Sequence, residues 1–342
     1  MSGTSFEISG WIPYWRAATG TADMLPHIQS FNSIMPFGYI VQNDGSIHDA
    51  FGFSATSSTS TATVLTVAAR AQKVKVVPTV MWSNSTAIDT ILRSGPRRRA
   101  LEDAIVALVK TYGFDGVDID FEGKLVKTRP YFSLFLEGLY ARMGHKLVYC
   151  AIQSRTPPSS AYAVIPKNLS YADDYVAINK YCDRVELMTY DQGSIDLKLS
   201  AAASPAPYVP IADPIWVEKV VNQTTPFISK NKIIIGVATY GYEYELTQLA
   251  DGYHYDLNWA FNPRYATTLA AELGITPLRN SVGELSFVYT STTTPTIQNI
   301  VWWSDAKAIG EKIDLAKRLG VRGIAIFKLD GGEDSAIWDI LP

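Results

Sequence analysis

Apolar runs of strand length recur along the chain, with helix-like stretches between them. The runs are Glu7 to Tyr14 (EISGWIPY), Phe31 to Val41, Val74 to Met81 and Phe114 to Phe121, then Lys146 to Gln153, Arg184 to Tyr190, Lys232 to Tyr240 and Val321 to Leu329. Between them, Thr61 to Gln72 gathers Val64, Leu65, Val67 and Ala68 on one side. Arg97 to Thr111 places Leu101, Ile105, Leu108 and Val109 on a stripe behind Pro96, where a helix can start. Tyr131 to Met143 carries Phe132, Phe135, Leu136 and Leu139 ahead of Gly144. Tyr171 to Tyr181, Pro214 to Ile228 and Asp305 to Leu319 complete the helical set. Gly113 and Gly320 stand directly after helices, where a left-handed residue closes the last turn.

Eight apolar strands alternating with helices predict a parallel sheet covered on both faces, and eight units predict closure into an α/β (β/α)8 barrel. The first two connections, Trp15 to Ser30 and Gln42 to Ala62, are loop-rich. The rhythm breaks after the seventh strand. Residues 241–303 contain GYHYDLNWAF, a helix-like ATTLAAEL, SFVYT and NIVWW, which read as a small α+β insertion between strands 7 and 8 of one catalytic domain, 1–342. Ser200 to Pro210 resembles a linker in composition, but its place after the sixth strand makes it a barrel loop.

Composition narrows the function classes. With 30 Lys plus Arg against 33 Asp plus Glu in 342 residues, the net charge of −3 argues against a nucleic-acid partner. A hydrophobic share of 47% excludes intrinsic disorder. No segment approaches the ~20 apolar residues of a membrane-spanning helix. The N-terminus, MSGTSFEISGWIPYW, has neither a basic start nor an apolar signal core, so the chain reads as cytoplasmic or as a mature domain whose leader has been removed. Two cysteines exclude a disulfide scaffold, and Cys150 and Cys182, both in apolar surroundings, are read as buried free thiols.

The chemistry concentrates in Asp115-Gly116-Val117-Asp118-Ile119-Asp120-Phe121-Glu122. Alternate side chains of a strand share a face, so Asp118, Asp120 and Glu122 point one way and Val117, Ile119 and Phe121 the other. A row of acids inside a barrel is costly unless it serves a purpose. Glu122 falls at the C-terminal end of the strand, where barrel active sites are built. Like charges nearby raise its proton affinity above the ordinary ~4.3, which suits a general acid. A metal would require histidine or further carboxylates at ligand spacing, and His27, His48, His145 and His254 are scattered. Neither metal nor cofactor is therefore expected. Asp115 reads as structural, bonding backbone at the start of its strand.

Asp-Gly-x-Asp-x-Asp-x-Glu on a fourth barrel strand resembles glycoside hydrolase family 18, the family of chitinases and related N-acetylglucosaminidases. Met188-Thr189-Tyr190-Asp191 resembles the family's Met-x-Tyr-Asp motif, Tyr240-Gly241 closes the seventh strand as in many members, and the insertion sits where the family often has one. Gly323 to Asp334 resembles the family's eighth strand, with Phe327 where a Trp is usual. The run around Ser83-Asn84 lacks the Ser-x-Gly-Gly pattern of many chitinases and is closer to the spore-cortex and cell-wall-acting branch.

The resemblance implies retaining, substrate-assisted hydrolysis of a glycan containing β-linked N-acetylglucosamine, of chitin or peptidoglycan type. In that scheme Glu122 is the acid/base, Asp120 holds the acetamido N–H, Asp118 tunes Asp120, and Tyr190 donates to the acetamido oxygen. Met188, Asp191, Tyr240 and Phe327 would line the sugar site, and Trp303, Trp302 or Trp82 would compensate for the smaller Phe327. A catalytically silent sugar-binding protein is the alternative; such relatives commonly lose the terminal Glu, which is present here. A purely structural module would show a broken acid row.

Overall fold

A computed structural model describes residues 6–250, 252–291, 294 and 296–341. The first five residues, on which part of the leaderless reading rests, lie outside the described residues. The barrel strands are β1 (Glu7–Pro13), β2 (Ser33–Val41), β3 (Thr79–Trp82, preceded by the short Lys75–Val76), β4 (Gly116–Phe121), β5 (Leu147–Gln153), β6 (Arg184–Met188), β7 (Ile233–Ala238) and β8 (Gly323–Phe327). Each pairs in parallel with its sequence neighbours, and β8 pairs back onto β1 through Glu7↔Gly323 to Gly10↔Ile326, which closes the ring. The eight apolar runs of the sequence correspond to these eight strands.

Period-two alternation sorts the side chains into two layers. Val117, Ile119 and Phe121 of β4 point outward and pack beneath the helix Arg129–Met143, with Phe121 and Phe135 ring centroids 5.2 Å apart. Trp11, Met35, Phe37, Val77, Tyr149 and Ile234 fill the barrel interior. Helix ends follow local chemistry. Gly113 and Gly320 adopt φ +65° and +67°, the left-handed conformation that lets each close its helix. Asp174 accepts from the backbone N–H of Val176 and Ala177, so the helix Tyr175–Tyr181 starts four residues later than apolar periodicity alone suggests. The stretch Trp15 to Ser30 forms one short helix, Ala17–Met24, between the 3-10 segments Tyr14–Arg16 and Leu25–Ser30, while a further helix, Ser85–Arg93, is capped by Asn84.

Between β7 and β8 lies an antiparallel sheet of five strands, in the order Gly252–Phe261, Gly241–Leu249, Gln298–Trp303, Leu285–Thr290 and Leu278–Arg279, with the helix Pro263–Glu272 on it. Buried Glu284 joins this sheet to the barrel. It accepts from the backbone N–H of Ile211 and Ala212, from Trp302 Nε1 and from Lys312 Nζ.

Cys150 and Cys182 are not free thiols but a disulfide, with Cα atoms 6.1 Å apart. One lies on β5 and the other directly after the helix Tyr175–Tyr181, which packs outside it. Apolar surroundings suit a thiol and a disulfide equally; only the tertiary approach of residues 32 apart distinguishes them.

At the start of β1, Glu7 meets Arg184 through Nε and Nη2 at 2.6 and 2.8 Å, and Arg322 at 2.5 Å. Burial opposes ionisation of Glu7, but hydrogen bonds from the two guanidinium groups outweigh it and bring its pKa down to about 2. A depressed carboxylate stabilises the fold above its unfolded value, and that contribution vanishes as pH falls through the folded one. Thermal melts between pH 5 and 2 should therefore show a steep loss of stability. Glu7→Gln should flatten this slope while lowering stability at pH 7 by about 3 kcal/mol, because two guanidinium charges lose their partner.

Candidate active site

The strand period that buries Phe121 outward turns Asp118 and Asp120 into the barrel, where they are 0% and 4% exposed, and leaves Glu122 half-buried at the C-terminal mouth. Asp118 lies deepest. Its Oδ2 accepts from Trp11 Nε1 at 3.0 Å and from Thr79 Oγ1 at 2.8 Å. Its Oδ1 has no such partner, and neither has Oδ1 of Asp120.

A fourth carboxyl stands in the same interior. Glu186, on the inward face of β6, is fully buried and faces Asp118, and neither of its oxygens has a donor among the described residues. Two carboxyl groups in contact favour a proton held between them, since two bare carboxylates would repel. Burial, then the charge of Asp118, raises the pKa of Glu186 well above the ordinary range. Burial raises Asp118 as well, against the hydrogen bonds from Trp11 and Thr79. Asp120 is raised strongly by burial and then by Glu122 and Asp118, and Glu122 is raised by burial against the pull of Lys124. All four carboxyl groups are thus shifted toward the protonated form, by burial first, and Asp120 and Glu186 next by the charge of their neighbours.

β6 supplies the opposing wall. Tyr190 lies with its ring stacked on Phe327, centroids 5.4 Å apart, and Phe327 also meets the edge of Trp11 at 6.0 Å. Gly236 on β7 leaves the room this requires, since a Cβ there would come within 2.8 Å of the Tyr190 ring. The Tyr190 hydroxyl has no hydrogen-bond partner among the described residues. Burial first, then the neighbouring acids, pushes its pKa up, so it remains a donor. Asp191 has φ +57°, a conformation a non-glycine residue holds only where its surroundings enforce it. Its Oδ1 accepts from Tyr240 at 2.6 Å and from Tyr242 at 2.8 Å. The peptide Phe327–Lys328 is cis.

Three cavities open near the C-terminal ends of the strands. The central one, about 120 Å³, is lined by Trp11, Asp120, Glu122, Met188, Tyr190, Asp191 and Phe327. On one flank, sharing Asp191 and Phe327, a cavity of about 350 Å³ is walled by Trp15, Tyr240, Tyr242 and Trp259. Trp259 is held there by a hydrogen bond from its Nε1 to Glu243, at 3.0 Å. A third cavity, of about 300 Å³, is lined by Lys124, two residues after Glu122 and near enough for its charge to act on that acid.

Of the residues singled out in the sequence, Glu122, Asp120, Met188, Tyr190, Asp191 and Phe327 converge on the central cavity, with Asp118 beneath and Tyr240 beside it. Trp303 does not reach it. It is 1% exposed and packs against Phe287 in the core of the insertion, leaving no ring face for a ligand. Trp302 and Trp82 are likewise buried. Asp115 accepts from the backbone N–H of Val76, Glu333 from those of Gly331 and Gly332, and Asp334 from that of Ala306 at the start of the helix Ala306–Leu319. Sequence reasoning missed Glu186, Trp11 and Thr79 as parts of the acid cluster, and Trp15, Tyr242 and Trp259 as cavity walls. For Glu186 a signal existed: one acid inside an apolar strand, in phase with Met188. No group of side chains suited to hold a metal ion occurs among the described residues.

A closed (β/α)8 barrel whose fourth strand delivers carboxylates to an aromatic-lined cleft at its C-terminal mouth has the architecture of a barrel hydrolase. The chain belongs to glycosyl hydrolases family 18, whose profile matches residues 12–332. Among curated proteins it is 28% identical over 235 residues to the cortical fragment-lytic enzyme of Bacillus subtilis, covering 68% of this chain and 50% of that one. It is 21% identical over 248 residues to the uncharacterized glycosylase YvbX of the same organism, covering 72% and 66%. The chain thus spans about two thirds or less of these relatives' length. Among solved structures, the spore cortex-lytic enzyme SleL of Bacillus megaterium superposes with a TM-score of 0.76 at 22% identity, covering 98% of this chain and 73% of that one. The C-terminal domain of a putative chitinase from Desulfitobacterium hafniense gives 0.78 at 23%, covering 98% and 99%. At these identities both likenesses speak to the fold.

Proposed function

We propose that the protein hydrolyses a β-linked glycan containing N-acetylglucosamine, of chitin or peptidoglycan type, with retention of configuration and with the substrate's acetamido group as nucleophile. The observation that carries this reading is the placement of the acids: Glu122 and Asp120 both line the central cavity, Glu122 at its half-buried mouth and Asp120 deeper, while Asp118 lies buried behind them. Relatives named for cortex fragments and for chitin degradation support the substrate class.

In the first step Glu122 gives its proton to the glycosidic oxygen as the bond from that oxygen to C1 breaks. The acetamido oxygen bonds to C1 in its place, and no protein nucleophile is needed. The resulting oxazolinium carries positive charge next to Asp120, which accepts the acetamido N–H. Tyr190 donates its hydroxyl to the acetamido oxygen and fixes its angle of attack. In the second step Glu122, now a carboxylate, takes a proton from water, the water oxygen bonds to C1, and the acetamido group is restored. Trp11 and Thr79 anchor Asp118, and its contact with Glu186 favours a proton between the two. Phe327 offers its ring to the apolar face of the reacting sugar.

The test is product analysis on chitooligosaccharides beside purified cell-wall fragments, with Glu122→Gln as control. Retained anomers from either substrate support the proposal; intact substrates, or inverted products, reject it. Tyr190→Phe should lower kcat more than tenfold, above ~1.4 kcal/mol of transition-state stabilisation, with a smaller change in KM. An unchanged kcat would remove Tyr190 from the mechanism.

A further inference from the structure

We propose that the cavity beyond Glu122 receives a leaving sugar that carries a carboxylate, and that the Arg155 guanidinium recognises it. The inference deepens the proposed function and rests on it, because the position of the acid decides which side of the cleft the leaving sugar takes. A general acid must stand beside the oxygen that departs. Asp191 and Phe327, which line the central cavity, continue into the cavity walled by Trp15 and Trp259, whereas Glu122 is followed two residues on by Lys124 of the third cavity, so the leaving sugar is assigned to the Glu122 side.

That side is the cavity of about 300 Å³ built on the ends of β4 and β5 and on the loops that follow β5 and β6. Its walls include Lys124, Arg155, Tyr162, Tyr171, Asp173 and Ile195. Lys124 and Asp173 neutralise each other across 3.1 Å, with side chains 5% and 9% exposed. Arg155 has no carboxylate partner among the described residues. Its guanidinium lies over the ring of Tyr175 at 3.7 Å and over that of Tyr171 at 4.2 Å, and one nitrogen donates to the backbone oxygen of Asp173 at 2.5 Å.

Two aromatic faces therefore hold a planar fork in a fixed plane, with most of its five donors unspent. A fork of this kind matches a carboxylate through two parallel hydrogen bonds. A neutral hexosamine polymer would leave this cation without a counter-charge. An acidic leaving sugar supplies one, from a lactyl ether on the ring, as in muramic acid, or from a ring carboxylate, as in a uronic acid. Tyr162, partly open to solvent, adds an apolar face for the sugar ring.

The experiment measures affinity on the Glu122→Gln protein by calorimetry, so that no ligand is consumed. Four tetrasaccharides are compared: chitotetraose, the alternating N-acetylglucosamine–N-acetylmuramic acid tetramer, the same tetramer as its lactyl methyl esters, and the alternating N-acetylglucosamine–glucuronic acid tetramer. One of the two acidic tetramers should bind at least tenfold more tightly than chitotetraose, and which one does identifies the source of the carboxylate. Adding Arg155→Gln should reduce the preference to within about twofold. If the muramic tetramer is the favoured ligand, esterification should do the same without any change to the protein. Equal affinities for acidic and neutral tetramers, or a preference that survives Arg155→Gln in a folded protein, would overturn the proposal. Wild-type turnover separates the two readings. Cleavage of chitotetraose without acid preference sinks this subsite and leaves the glycosidase standing. An Arg155-dependent preference with no cleavage of any tetramer does the reverse.

Discussion

Glu122→Gln is expected to bind chitooligosaccharides while turning them over about a thousandfold more slowly, in the middle of the range that a positioned general acid contributes. The substitution keeps shape and removes the transferable proton. The half-buried side chain has room on its cavity side, so the fold should tolerate the amide. The wild-type pH profile supplies a second readout. Burial raises the Glu122 pKa against the opposing charge of Lys124, so the acid form persists above the ordinary carboxylate range. kcat should therefore decline as pH rises through that shifted value, and the same limb should be missing from the residual rate of Glu122→Gln. A variant as active as the wild type on a chromogenic N-acetylglucosamine oligomer would dismiss Glu122 as the acid.

The second large effect concerns Asp120 and the acetamido group together. Asp120→Asn should lower kcat more than tenfold, because an amide does not carry the charge that steadies an oxazolinium. Cellulose oligomers, identical in linkage but lacking the acetamido group, should be inert with the wild type. A thiazoline mimic of the cyclised intermediate should inhibit the wild type and bind Asp120→Asn at least tenfold more weakly. Cleavage of cellulose oligomers at rates comparable with chitooligosaccharides would replace the substrate-assisted scheme with one needing a protein nucleophile.

Much of this was readable along the chain because barrel geometry is periodic. Alternation at every second residue was enough to turn Asp118, Asp120 and Glu122 inward and Phe121 outward, and eight apolar runs were enough to close the ring. What stayed hidden depends on register between strands. Trp11 on β1 and Thr79 on β3 meet one oxygen of Asp118 only because the tilt of closed strands brings those three positions to one level. Glu186 was passed over because RVELM reads as an apolar strand, and a single acid in it carries no message until Asp118 is seen across from it. Trp303 failed for the opposite reason. A large aromatic near a sugar cleft invites a binding role, yet its strand position faces the core of the insertion rather than the barrel mouth. Arg155 and its two tyrosines lie in loop and helix segments whose mutual approach no periodicity encodes.

The cross-link between Cys150 and Cys182 encloses the segment that carries Arg155, Tyr171 and Tyr175, the far wall of the cleft. By loop-closure reckoning, a ring of this size withholds about 3 to 4 kcal/mol of disorder from the unfolded chain. Material produced in a reducing host would forgo that restraint, and would forgo it first where the departing saccharide docks. Recombinant batches should therefore be compared by thiol titration before their specificities are.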